Sequence, residues 1–288
     1  MQKHAHLITS YSQFDLLKKH IKLMDHEQND IYVHVDKKSK DFNPEEFANI
    51  TLKSKLFFIE RRSVSWGGYS LLGCELALLK EASKRNYRYY HINAGDSLPL
   101  KSQTEIHEFF EKNDGKEFLE IQDGAIAEKS IADRFRFYHF FQEMIGRPKK
   151  NNPLVFIDKV SLKLQEAFGI DRFKNSKQEI KKGLTWCSLT HNFVSHIVAQ
   201  EDELEKMYRH TFVPEEFCFQ TIAWNSSFKE NIENNSLRYM DWKKGGGPYT
   251  FRDEDFDRLI NSGCFWARKF NERVDPAIIE KITNHVQN

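Results

Sequence analysis

Pro214-Glu215-Glu216 is the stretch of this sequence best suited to proton chemistry. Proline fixes a helix start, and two carboxylates then fall on first-turn N–H groups. The apolar run Phe217–Trp224 follows at once. A carboxylate at the lip of such a run can act as a general base, because burial raises its pKa toward a working range. Pattern alone leaves Glu215 and Glu216 as equal candidates, and acidic first-turn residues also serve a helix that does no chemistry. A second group is cationic: Arg238, Lys243, Lys244, Arg268 and Lys269. Cations aimed at the leaving oxygens would neutralise a departing diphosphate. They are also five of 43 basic residues, and surface charge is the plainer reading. Lys243-Lys244-Gly245-Gly246-Gly247 is a basic loop whose glycine backbone can approach phosphates closely, but no GxxxxGK[ST] occurs in the chain. Asp36 ends an apolar run and reads either as a ribose or base ligand or as a turn-initiating Asp. Gly95-Asp96-Ser97 carries the same two readings, and a lone Asp is a weak metal site. His4, His6, His34 and His91 show no HExxH spacing and read as core or hydrogen-bonded histidines.

The elements that must position these groups alternate. His6–Thr9, Asp30–Asp36, Leu56–Ile59 and Tyr87–Asn93 read as buried strands. An amphipathic helix over Phe14–Met24 and a second opened by Gly67–Gly68 and running to Ser83 lie between them. A β-α-β-β-α-β order predicts a mostly parallel sheet with helices on both faces. Ligands bind beyond the carboxyl ends of such strands. The strand-end clusters are Ser10-Tyr11, Asp36, Ser63–Trp66 and Asn93–Ser97. Further on, Gly183–Leu189 and Leu237–Trp242 read as strands, Cys264–Phe270 as a strand or extended segment. Helices are expected over His191–Ala199, from Pro214, over Asp253–Ile260 and over Asp275–Val286.

Composition narrows the class. The 288 residues are 40% apolar and 30% charged, a globular composition, and the net charge of +1 gives no reason to expect nucleic acid. No run reaches the roughly 18 apolar residues of a membrane span. The N-terminus is a poor signal peptide, so a cytoplasmic protein is expected. Cys74, Cys187, Cys218 and Cys264 form no CxxC pair and read as reduced core thiols. Arg147–Lys182 holds ten Lys or Arg against four Asp or Glu. It contains an expected helix, Val155–Phe168, and reads as a surface excursion from one domain spanning 1–288. A solvated basic face is one reading of it; contact with an anionic membrane or acceptor is the other.

Seven segments taken in order resemble the core-2/I-branching enzyme family, glycosyltransferase family 14, and its bacterial members in particular. They are IYVHVDKKS (31–39), SWGGYSLLGCELALLKEA (65–82), YRYYHINAGDSLPLKS (87–102), GLTWCSLTHNFVSHIV (183–198), VPEEFCFQTI (213–222), LRYMDW (237–242) and CFWARKF (264–270). The resemblance implies a GT-A fold: a single α/β domain with a mostly parallel nucleotide-binding sheet flanked by helices. It implies an inverting transfer from a UDP-sugar (N-acetylglucosamine, another hexose or xylose) to a hydroxyl of a glycan acceptor, with no cofactor and no metal. The family base matches Glu216 and not Glu215. The lysine of the family's F-A-x-K-F segment matches Lys269, which would hold the diphosphate. Arg238 matches the family's second basic group, with Lys243 or Lys244 as the alternative because the spacing differs. Asp36 lies on the nucleoside side, Thr9, Ser10 and Tyr11 would line the uridine pocket, and Trp66, Gly95 and Asp96 complete the donor side. Glu120, Arg134 and Arg136 are acceptor-side candidates.

Two departures limit the transfer of detail. Relatives read S-G-x-D-[YF]-P-L where this chain has Ala94-Gly95-Asp96-Ser97-Leu98-Pro99-Leu100, so sugar preference does not carry over. The anchor, stem and many cysteines of the Golgi enzymes are not expected in this protein. The resemblance therefore implies a bacterial enzyme of surface polysaccharide synthesis, cytoplasmic or peripheral at the inner face of the plasma membrane, acting on a glycan or lipid-linked glycan. A metal-dependent transferase using Asp36 or Asp96 and a non-catalytic nucleotide-sugar-binding protein are the alternatives. A glycosidase is disfavoured, since adjacent carboxylates on a helix cannot flank one bond.

Overall fold

A computed structural model describes residues 2–149, 151–243 and 247–287. Its first half alternates as the apolar pattern requires. β1 (His4–Ser10), α1 (Phe14–Leu23), β2 (Asn29–Val35), β3 (Lys55–Phe58), α2 (Tyr69–Ser83) and β4 (Tyr89–Ala94) follow in order. The short β5 (Ser97–Pro99), α3 (Gln103–Lys112) and β6 (Glu117–Phe118) come next. α4 (Lys129–Arg136), α5 (Gln142–Ile145) and α6 (Pro153–Ala167) form the middle. β7 (Ser188–Thr190), α7 (His191–Val198), α8 (Glu201–Tyr208), a 3₁₀ turn at Pro214–Glu216 and α9 (Cys218–Trp224) lead into the last third. There β8 (Ile232–Glu233), β9 (Arg238–Tyr239), β10 (Trp242–Lys243), β11 (Gly247–Pro248), α10 (Phe256–Ile260), β12 (Trp266–Arg268) and α11 (Pro276–Gln287) close the chain.

The main sheet has the order β3-β2-β1-β4-β7-β6-β8. β3, β2, β1 and β4 run parallel, so their carboxyl ends share one edge. β1 and β2 are buried almost throughout because both faces are covered. Successive side chains go to opposite sides. Ala5 and Leu7 pack with Leu72, Leu76 and Leu79 of α2. Ile8, Ile31 and Val33 pack with Leu17 and Ile21 of α1. A small second sheet, β5-β12-β9, joins the C-terminal segments to the edge of the first, and α11 caps it through Ile278, Ile279 and Ile282.

Several expectations need correction. Gly183–Leu189 forms a strand only at Ser188–Thr190, and that strand runs antiparallel to β4. Leu237–Trp242 splits into two short strands that pair in different sheets. The helix expected from Pro214 is a 3₁₀ turn, with the α-helix starting only at Cys218. Lys244 and the side chain of Lys243 lie outside the described residues. Cys74, Cys187 and Cys218 are buried free thiols, and Cys264 is half-buried and also free. Among the described residues no helix is long and apolar enough to cross a membrane.

Candidate active site

The carboxyl edge of the parallel strands gathers most of the expected donor residues through backbone bonds. The Asp36 amide donates to the Ser10 carbonyl at 2.9 Å, and the Gly95 amide to the Thr9 carbonyl at 2.8 Å. Side chains cannot intrude between β1 and β4 at this point. A Cβ on Gly95 would sit 2.6 Å from the Ser10 hydroxyl. One Asp36 oxygen, Oδ1, accepts from the amides of Lys38 (2.9 Å) and Val64 (3.3 Å), which fixes the turn. Its Oδ2 has no partner among the described residues. Tyr11 is exposed, and its carbonyl accepts from the Ser39 hydroxyl at 2.6 Å. Trp66 is exposed beside this cluster, packed edge-on against Phe212 with Arg147 over its ring.

The segment 266–270 reaches the same edge. The Phe270 amide donates to the Asp96 carbonyl at 3.0 Å. Arg268 donates to the Asp96 carboxylate at 2.6 and 3.4 Å. Asp96 therefore anchors the strand that carries Lys269. The Lys269 ammonium makes no ion pair or hydrogen bond among the described residues, which leaves it free for an anion.

Arg238 does not belong to this group. Its guanidinium is buried, and all five N–H donors are spent on the carbonyls of Ile92, Cys187 and Ser236, the Asn93 amide oxygen and the Ser188 hydroxyl. The ring of Trp266 lies 4.4 Å from it. Arg238 staples β9 to β4 and β7, and no donor remains for a diphosphate. That expectation is corrected: sequence matched the residue type but gave no view of where the side chain goes.

Glu216 stands apart from its neighbour. Its side chain is 26% exposed, and its Oε2 faces two cations, Arg134 at 3.2 Å and Lys182 at 3.3 Å. Oε1 has no partner among the described residues. Glu215 is buried, and burial pushes its carboxyl up to about 8. Behind it Glu75 on α2 is wholly buried with neither oxygen hydrogen-bonded, and burial drives its pKa upward too. Burial thus favours the protonated form of both, whereas Glu216 is the member of the group that reaches solvent. The turn itself is strained: Val213, immediately before Pro214, is held at φ 55° by a 2.8 Å bond from its amide to the Gly67 carbonyl.

Segment 183–186 ties Glu216 to the donor edge. The Gly183 amide donates to the Glu216 carbonyl at 2.9 Å, and the Thr185 hydroxyl to the Glu215 carbonyl at 2.9 Å. A Cβ on Gly183 would meet the Glu120 carbonyl at 1.7 Å, so only glycine fits. Three residues on, the ring of Trp186 lies 5.3 Å from the Arg268 guanidinium. Three residues span at most about 11 Å. The Glu216 turn and the cationic segment at Arg268 are thus linked through the short span 183–186. On the other flank Gln122 accepts from the Lys182 ammonium at 2.7 Å. It helps line a cleft of about 430 Å³ with Phe135, Arg136, Asp171, Phe173 and Lys181. Arg136 pairs with Asp171 at 2.9 Å on that wall. Charged and amide groups beside aromatic faces suit a polyhydroxylated ligand. Lys182, Trp186 and Gly183 were not singled out by sequence reasoning. Nothing separates Lys182 from the other cations of its stretch until the fold closes. Among the described residues no three His, Cys, Asp or Glu side chains converge as metal ligands would.

The family model described as Core-2/I-Branching enzyme matches residues 5–260. Xylosyltransferase 2 of Rattus norvegicus is 25% identical over 94% of this chain and 32% of its own length. Xylosyltransferase oxt of Drosophila melanogaster is 25% identical over 86% and 29%. The chain thus spans about a third of the length of the curated relatives it matches. Among solved structures, apo mouse xyloside xylosyltransferase 1 aligns with a TM-score of 0.39 at 10% identity, covering 92% of this chain and 97% of that one. The apo glycosyltransferase GlyE of Streptococcus pneumoniae TIGR4 aligns with a TM-score of 0.39 at 10% identity, over 78% and 43%. With the family model covering nearly its whole length, this chain belongs to the core-2/I-branching enzyme family of glycosyltransferases.

Proposed function

We propose that this protein transfers a sugar from a UDP-sugar to a hydroxyl of a glycan acceptor, with inversion at the anomeric carbon and without a required metal ion. The observation that carries the reading is the state of Glu216. It is a solvent-reaching carboxylate held through one oxygen by Arg134 and Lys182, with the other oxygen free. It is joined by a three-residue span to the segment that bears Lys269. In this reading Glu216 Oε1 takes the proton of an acceptor hydroxyl as its oxygen bonds to the anomeric carbon. The bond to the diphosphate breaks in the same step, and its electron pair stays on the leaving oxygen. Lys269 meets the charge that develops there. Thr9, Ser10, Tyr11 and Asp36 take the nucleoside, and the cleft around Arg136 and Asp171 takes the acceptor glycan. A β-linked product and a role in bacterial surface polysaccharide synthesis, at or near the cytoplasmic membrane face, complete the proposal.

The test is transfer and hydrolysis across a panel of UDP-sugars that includes UDP-xylose and UDP-N-acetylglucosamine, with the product anomer assigned by NMR and the assay repeated in EDTA. The reading expects one donor to be turned over with inversion and the rate to survive EDTA. Loss of turnover in EDTA with recovery on manganese would replace it with a metal-dependent transferase. UDP binding with no turnover of any donor would leave a binding protein.

A further inference from the structure

α6 is built inside out. Its polar residues hold it to the body: Gln165 is buried, accepts from the Tyr138 amide at 2.7 Å and donates to the Tyr138 carbonyl at 3.0 Å. Asp158 sits 4.0 Å from His139 on the same side. Several of its apolar residues face water, while Leu154, Val155 and Leu162 are half-buried. Ile157, Val160, Leu164 and Phe168 recur every three or four residues and make one exposed stripe, with Phe156 beside it. Phe156 is 71% exposed and Phe168 79%. A shallow apolar groove of about 390 Å³ runs between this stripe and Phe140 and Phe141. Contiguous exposed apolar side chains of this kind mark a contact surface.

The charges around the stripe say what it contacts. The excursion 147–182 has ten basic and four acidic residues. Three of the four acids are paired with cations, and the fourth, Asp158, faces the body at His139. Glu166 pairs with Lys129, Asp171 with Arg136 and Glu179 with Lys181. Lys149, Lys159, Lys163, Lys174 and Lys177 are exposed with no acidic partner among the described residues. Lys159 and Lys163 lie on α6 itself, at the flank of the stripe that Phe156 occupies. A second copy of the chain would set these cations against one another. A solvated polyanion would satisfy the lysines but leave the phenylalanines in water. A surface with anionic headgroups over an apolar interior satisfies both.

We infer that the outward face of α6, extended by Phe140 and Met144, docks on an anionic lipid bilayer. The stripe enters the headgroup–acyl boundary and the lysines meet the headgroups. The docking stands on this surface alone. Its consequence rests on the proposed transfer reaction: the excursion ends at Lys182 on the Glu216 carboxylate, so docking brings the acceptor side of the site to the lipid, where a lipid-linked glycan would lie.

Co-sedimentation with large vesicles tests this. Vesicles of one part phosphatidylglycerol to three parts phosphatidylcholine are compared with phosphatidylcholine alone, using the wild type, Lys159→Glu/Lys163→Glu and Phe156→Ser/Phe168→Ser. The wild type is expected to bind the anionic vesicles at least tenfold more tightly, and each variant to lose at least fivefold. Circular dichroism and turnover on a water-soluble acceptor are expected to stay at wild-type values in both variants, which separates failure of docking from failure of the transferase reading. Absence of binding to anionic vesicles overturns the inference. So does undiminished binding by the phenylalanine variant, or a wild-type dimer in sedimentation velocity that the phenylalanine variant dissolves.

Discussion

Glu215 and Glu216 are adjacent in sequence and opposite in environment. Their types and spacing left them equal, and only the family motif chose between them. The fold separates the two by environment. The 3₁₀ turn sends Glu215 into the core beside Glu75 and leaves Glu216 between two cations at the surface. The sign of the Glu215 effect on stability follows. Its carboxyl is raised from 4.5 to about 8, so between those values the folded state keeps a proton that the unfolded chain has released. Stability from this group is full below pH 4.5 and drains as pH rises through the window. Glu215→Gln removes the dependence. Its thermal midpoint is expected to match wild type near pH 5 and to exceed it by several degrees at pH 8; an offset that does not change with pH would contradict the assignment. Lys269 makes the complementary prediction. Lys269→Ala is expected to slow turnover on the order of 10²-fold or more, because the leaving diphosphate loses its charge partner. A loss below about threefold would count against that role.

At the scale of elements, the alternation that predicts a parallel sheet was legible because both faces of β1 and β2 are covered, which leaves a plain apolar run. The C-terminal third was not. LRYMDW reads as one strand, yet Arg238 turns inward to β4 and β7, only Arg238 and Tyr239 pair with β12, and the chain then leaves for another sheet. Periodicity shows where a strand can form and says nothing of which polar side chain the core will absorb. For the same reason Arg238 reads as a ligand in sequence and as a staple in the fold. Arg238→Lys leaves the charge but cannot remake five hydrogen bonds to carbonyl, amide and hydroxyl oxygens. It is expected to cost about 3 kcal/mol or more, which lowers the melting temperature by roughly 6 °C or more in a domain of this size. A variant that melts with wild type but loses UDP affinity would restore the diphosphate role.

Across the whole molecule, the buried titratable groups set a pH range. His4, His6, His20, His34, His91, His107 and His139 are all held below their ordinary value, chiefly by burial. His91 joins His4 at 3.0 Å and the Ser188 hydroxyl at 2.8 Å, so part of the set is one buried network that reaches Arg238. The unfolded chain takes protons on these rings below about pH 6.5 and the folded chain does not, so stability is lost as pH falls. Glu75, Glu117 and Glu215 act in the opposite sense above about pH 4.5, but three groups do not offset seven. Urea midpoints are expected to fall steeply from pH 7 to pH 5; a flat profile would mean that the histidines are not buried as described. Sequence placed four of these histidines in strands and read them as core, but their convergence depends on register, which no spacing shows. The proposed chemistry depends most on Glu216. Its most direct test is single-turnover transfer by Glu216→Gln, with UDP affinity measured alongside by calorimetry. The rate is predicted to fall by about 10³-fold, within the range general bases supply, while the dissociation constant for UDP stays within about threefold of wild type. A variant that transfers within about fivefold of wild type would contradict the assignment of Glu216 as the base.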